Sequence, residues 1–167
     1  MQKRWTVQQM TLCGVMAAVV FVMTYVPKLP VPITGGYVHL GDGAIFLSVM
    51  LLGPLGVVSA AIGSMLSDLV GGYMVYVLPT LVIKGLVAWT AWYFYRAGKP
   101  MRNLLAFALA EAVMVAGYYL FECVVAGVAA ATAAILPNVV QGIVGGGMGM
   151  LCMTLVPRLE KMLKMAR

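Results

Sequence analysis

A chain of 167 residues with 63% hydrophobic and only 10% charged side chains, at a mean hydropathy of +0.99, lies far outside the composition of a soluble globular domain. The net charge of +6 therefore belongs to a membrane protein, and a basic tail such as RLEKMLKMAR suits solvent or lipid headgroups better than nucleic acid. One histidine, His39, and three widely spaced cysteines, Cys13, Cys123 and Cys152, offer neither a catalytic metal site nor a disulfide framework.

The first apolar stretch runs from Val7 to Val26. MQKRW ahead of it could open a signal peptide, but no small-residue cleavage site precedes the YVPKLPVP turn, so a retained helix is expected. After the loop PKLPVPITGGYVHLGD come two shorter stretches, Gly41 to Leu52 and Leu55 to Val70, parted only by Gly53-Pro54. Proline is tolerated at a helix start because its missing N–H has no intrahelical partner there, and the pair is expected to form a tight hairpin. The loop GGYMVYVLP leads into Val77 to Tyr95, and Leu104 to Val125 and Ile135 to Val156 complete the set. VAGVAAATAA, between the last two, is expected to be an outer loop or a helix end. A spanning helix needs roughly 20 residues, fewer where it is thinned or broken, so the pattern predicts six transmembrane helices, two of them short. Residues 1–167 then form a single all-α integral membrane domain, with no soluble appendage expected.

Charge sets the orientation. Lys3 and Arg4 precede helix one, Arg96, Lys99 and Arg102 lie between helices four and five, and Arg158, Lys161, Lys164 and Arg167 follow helix six. Six spans put all three clusters on one face, which the positive-inside rule makes cytoplasmic, with both termini there. The expected location is the cytoplasmic membrane, spanned several times.

Polar residues can then be placed by depth. Helix four enters from outside near Leu78, so Lys84 lies about 9 Å in, at 1.5 Å per residue. Glu122 sits near the outer end of helix five, Asn138 and Gln141 share a face in the first turns of helix six, Asp68 closes helix three and Asp42 opens helix two. One outer layer of six polar side chains is predicted, with Lys84 level with Glu122, Asn138 and Gln141. Tyr37 and His39 from the first outer loop, Tyr73 and Tyr76 from the second, and Tyr118, four residues before Glu122, are expected to line it. Lys84 has two readings: a ligand contact, the default for an intramembrane ionisable group, or an ion pair with Asp68 or Glu122 that fixes helix packing. Glu111 falls near mid-membrane with no obvious cation.

LGD, GS-x-x-SDL, PTL-x-x-KG and PN-x-x-Q, in that order within residues 36–146, resemble the substrate-binding S components of energy-coupling factor (ECF) vitamin transporters. The likeness is to the branch with riboflavin-type and hydroxymethylpyrimidine- or pyridoxine-type members, and it runs over essentially the whole chain. It implies a six-helix bundle with an outward-facing vitamin pocket, working with a transmembrane T component and two cytoplasmic ATPases. The chain carries no G-x-x-x-x-G-K-[ST] motif, so ATP hydrolysis would fall to those partners. Family members dock through an Ala-x-x-x-Ala face on helix one, and TLCGVMAAVVF supplies Gly14 and Ala18 at that spacing.

The polar layer, with its cation, carboxylates, amides and phenols, suits a small heteroaromatic ring. Pyridoxine or hydroxymethylpyrimidine is the expected ligand, with riboflavin or another micronutrient as the alternative. An enzyme is disfavoured, since neither HExxH nor GxSxG occurs, and no catalytic residue, metal or cofactor is expected. A channel or scaffold outside the ECF group would place polar residues along a full crossing path, whereas here the inner half carries only Glu111.

Overall fold

The computed structural model describes residues 5–27, 29–31 and 36–163. In chain order the elements are α1 (Val7–Tyr25), a ribbon of β1 (Leu29–Val31) and β2 (Gly36–Val38), α2 (Gly41–Leu52), α3 (Pro54–Gly71), a 3-10 turn (Met74–Tyr76), α4 (Val77–Phe94), α5 (Pro100–Val125), α6 (Val128–Cys152) and α7 (Val156–Met162). α1, α3, α4 with its preceding turn, α5 and α6 are each long and apolar enough to cross a membrane, and α2 is a shorter apolar helix.

α2 is the hub. All of its residues except Leu47 are buried, and α1, α3, α4, α6 and α7 pack around it. Lipid tails are as apolar as leucine, so such helices associate through close packing, which needs small residues where backbones approach. Gly56 is one such place: a Cβ there would lie 2.4 Å from the Ser48 carbonyl oxygen, across the α2–α3 hairpin. Gly63 is another, with the Ala17 carbonyl 2.4 Å from its would-be Cβ where α1 crosses α3. The hairpin turns at Gly53, whose φ of 58° suits glycine, and Pro54 opens α3, as the sequence predicts.

Two boundaries depart from expectation. α3 is a full-length span of 18 residues. VAGVAAATAA takes the second of its two expected forms, helix ends about a short turn: α5 closes at Val125 and α6 begins at Val128, directly after Gly127 at φ 85°, earlier than the expected Ile135, with Pro137 inside it. A membrane helix tolerates an internal proline because neighbouring groups satisfy the freed carbonyl. Asn138 and Gln141 therefore stand well down α6 and not in its first turns.

The positively charged ends gather together. Thr6 caps α1, its Oγ1 accepting the Gln9 N–H at 3.2 Å while Gln9 Oε1 accepts the Thr6 N–H at 3.0 Å. In the same turn, Gln8 Nε2 donates to the Leu163 carbonyl at 2.9 Å, tying the start of α1 to the end of α7. Asn103 donates to the Arg96 carbonyl at 2.8 Å and reaches Met153 Sδ at 3.7 Å, which brings the α4–α5 turn to the same end. This is the end the positive-inside rule assigns to the cytoplasm; the ribbon and the α5–α6 turn lie at the other.

Candidate functional site

The polar residues separate into two levels. At the deeper one, Lys84 Nζ donates to Asp42 Oδ1 at 2.5 Å and Gln141 Nε2 donates to Asp42 Oδ2 at 2.7 Å. Both donors also approach Met114 Sδ, at 2.9 and 3.3 Å. Lys84 is 1% exposed, Asp42 0% and Gln141 3%, so this knot joins α2, α4, α5 and α6 out of contact with solvent. Asp42 lies in the first turn of α2, where unpaired N–H groups and the helix dipole favour a carboxylate. Tyr118 roofs the knot: its ring centroid lies 5.8 Å from Lys84 Nζ, within cation–π range, and its hydroxyl bonds Thr80 Oγ1 at 3.0 Å.

The upper level is a rim. Tyr76 donates its hydroxyl to Glu122 Oε1 at 3.3 Å and packs edge-on against Phe121 at 5.3 Å. Eight residues part Met114 from Glu122 on α5, about 12 Å at 1.5 Å per residue. Lys84 is thus not level with Glu122, and its ion-pair partner among the described residues is neither Asp68 nor Glu122 but Asp42. The reason lies in α2. A helix of 12 residues is about 18 Å long, and the ribbon lets it start below the outer surface, so its first turn meets α4 in mid-bundle.

The remaining predicted residues take these places. His39 is buried at the approach to α2 and its Nδ1 accepts the Gly41 N–H at 3.0 Å. Asp68 is buried near the end of α3, close enough for its charge to act on Tyr76. Tyr73 is half-buried and precedes the 3-10 turn. Asn138 is half-buried and one turn outward of Gln141. Tyr37 pairs through its backbone with Pro30 in the ribbon, and its side chain lies outside the described residues, as does Lys28. Gly14 and Ala18 are exposed on α1, away from both polar levels, and a Cβ added to Gly14 would meet nothing within 4 Å.

Met114 and Thr80 join the site without a sequence signal of their own. Met114 lies on the same face of α5 as Glu111, Tyr118 and Glu122, at spacings of three, four and four, but as an apolar letter it did not register as part of a polar stripe. Thr80 was inside the PTL-x-x-KG motif.

A multi-pass bundle wound around a short buried helix, with an ion pair under an aromatic rim, is the architecture of an integral membrane protein. The sequence pattern of the family described as ECF-type riboflavin transporter, S component, matches residues 4–158, and the chain belongs to that family. It is 37% identical over 136 residues to an uncharacterized protein of Pyrococcus woesei, covering 78% of this chain and 91% of that one. It is 30% identical over 141 residues to the thiamine precursor transporter HmpT of Lactococcus lactis subsp. cremoris (strain MG1363), covering 83% and 81%. The solved structure of the S component of a bacterial ECF transporter superposes with a TM-score of 0.74 at 21% identity, over 94% of this chain and 98% of that chain. The fold is thus that of an ECF S component, and family membership makes the chain a multi-pass membrane subunit of the ECF vitamin-transporter class.

Proposed function

We propose that this S component captures a small heteroaromatic vitamin or vitamin precursor from outside, with hydroxymethylpyrimidine or pyridoxine favoured and riboflavin or another micronutrient next. The observation that carries the reading is the Asp42–Lys84–Gln141 knot beneath Tyr118 and the Tyr76–Glu122 rim. Its donors and acceptors can orient ring substituents while phenol faces stack on the ring. The ligand preference draws support from the relative named as a thiamine precursor transporter. In this reading Lys84, Asp42, Asn138 and Gln141 read the ligand from below, Glu122 and Asp68 hold its edge, and His39, Tyr73, Tyr76 and Tyr118 enclose it.

Delivery inward would use a T component and two ATPase subunits, with Gly14 and Ala18 on α1 as the close-approach face. The test is ligand binding to the purified chain, together with mass spectrometry of small molecules carried through purification. A retained heteroaromatic vitamin would support the reading. Unchanged affinity in Lys84→Ala, Glu122→Ala and Asn138→Ala would remove the site assignment. Recovery with a T subunit and an ATPase pair tests the assembly separately, and ATP-independent uptake by the chain alone would oppose it.

A further inference from the structure

The knot pairs strong donors with unequal acceptors. Lys84 Nζ and Gln141 Nε2, from α4 and α6, each give one hydrogen to the Asp42 carboxylate and each also approach Met114 Sδ, at 2.9 and 3.3 Å. A carboxylate is among the best acceptors a protein offers, and a thioether among the weakest. An ammonium and an amide from two different helices thus converge on one sulfur, out of contact with solvent. The Asn103 amide shows the ordinary balance: it stands 3.7 Å from Met153 Sδ and gives its closer bond, 2.8 Å, to the Arg96 carbonyl. Asp42 already bridges Lys84 and Gln141, so the sulfur can leave without parting α4 from α6. Met114 is unbranched with three rotatable bonds, which lets its tip yield to another group. Tyr118 and Glu122 follow it at four and eight residues on the same face of α5, so that face leads from the rim down to the sulfur.

We propose that Met114 Sδ stands where a lone pair of the ligand belongs: on binding, a neutral ring nitrogen displaces the thioether and accepts from Lys84 Nζ and Gln141 Nε2. The inference rests on the ligand reading above and deepens it, since it names the group that the ligand must present. Exchange of a thioether for a ring nitrogen strengthens two bonds in a site with no water to compete for them. The acceptor is neutral because acids already crowd the place. Gly145 has one on either side, since a Cβ there would lie 2.6 Å from Asp42 Cβ and 2.7 Å from Glu111 Oε1. A ligand carboxylate or phosphate would set a third acidic group beside a single ammonium, at the cost of burying charge. Met114 is thereby a specificity-determining residue that keeps both donors occupied until a ring nitrogen arrives.

The test titrates the purified full chain with hydroxymethylpyrimidine, pyridoxine and riboflavin, and with analogues in which each unsubstituted ring nitrogen in turn is a C–H group. The expected result is that one parent compound binds, and that one of its C–H analogues binds at least about ten-fold more weakly, the scale of a bond from a charged donor. Met114→Leu keeps the bulk and removes the acceptor. In that variant the parent binds about five-fold more tightly, because the empty chain has lost the partner that the ligand replaces, while the weakened analogue gains nothing. Equal binding of parent and analogues, or a parent affinity that is unchanged or weaker in Met114→Leu, overturns the proposal and leaves Met114 as packing, with the ligand reading intact. Binding of none of the three parents removes the ligand reading and this inference with it. If Met114→Leu does not fold, the analogue series on the unaltered chain decides alone.

Discussion

The knot and the rim use the same kinds of side chain under different solvation. At the knot, Asp42 and Lys84 are sealed and each makes more than one contact, because a charge left unpaired there has no water to turn to. At the rim, Tyr76 and Glu122 are half-buried and joined by one bond of 3.3 Å. Of these two clusters the more deeply buried is the more completely partnered, whereas Glu111, also buried, has neither carboxyl oxygen hydrogen-bonded among the described residues. The deep cluster ties helices together as well as offering the proposed ligand contacts, while the shallow one is held by a single bond that costs little to exchange.

Substitutions can break that contrast. Asp42→Leu leaves the Lys84 ammonium buried and uncompensated, and should cost about 3–5 kcal/mol in thermal unfolding of the detergent-solubilised chain. Adding Lys84→Met should restore most of the loss while leaving ligand binding impaired; recovery of both would make the pair purely structural. Gln141→Leu removes a bond to a charged acceptor and should cost about 1.5–3 kcal/mol by the same measurement. Gly145→Ala is expected to cost about 1–3 kcal/mol by overpacking, because its Cβ would lie 2.6 Å from Asp42 Cβ and 2.7 Å from Glu111 Oε1. Tyr76→Phe should change stability by no more than about 1 kcal/mol and show itself mainly in ligand affinity. Were it as damaging as Asp42→Leu, the division by depth would fail.

Much of this architecture was legible in the sequence. Apolar runs marked six helices, Gly53-Pro54 marked the hairpin, and three basic clusters marked the shared end. Asp42, Lys84 and Gln141 stood out because ionisable and amide groups are costly in hydrocarbon. Their mutual arrangement was not legible. Counting residues from helix ends assumes that each helix begins at the membrane surface, and α2 and α6 both break that assumption. α2 starts below the surface after the ribbon, and α6 begins seven residues before the expected Ile135, carrying Pro137 within it. A single predicted layer therefore resolved into two. α7 was hidden by its charge, since Arg158, Glu160 and Lys161 fall within its seven residues and give no spanning signal.

The bond from Gln8 to Leu163 has a practical side. Two halves of a split fluorescent reporter, fused one beyond each of these residues, would emerge on the same side of the bilayer within reach of each other. Their reassembly would require an even number of crossings between them and the two ends to meet. Fluorescence in intact cells would then report that closure of α1 onto α7 without any knowledge of the ligand.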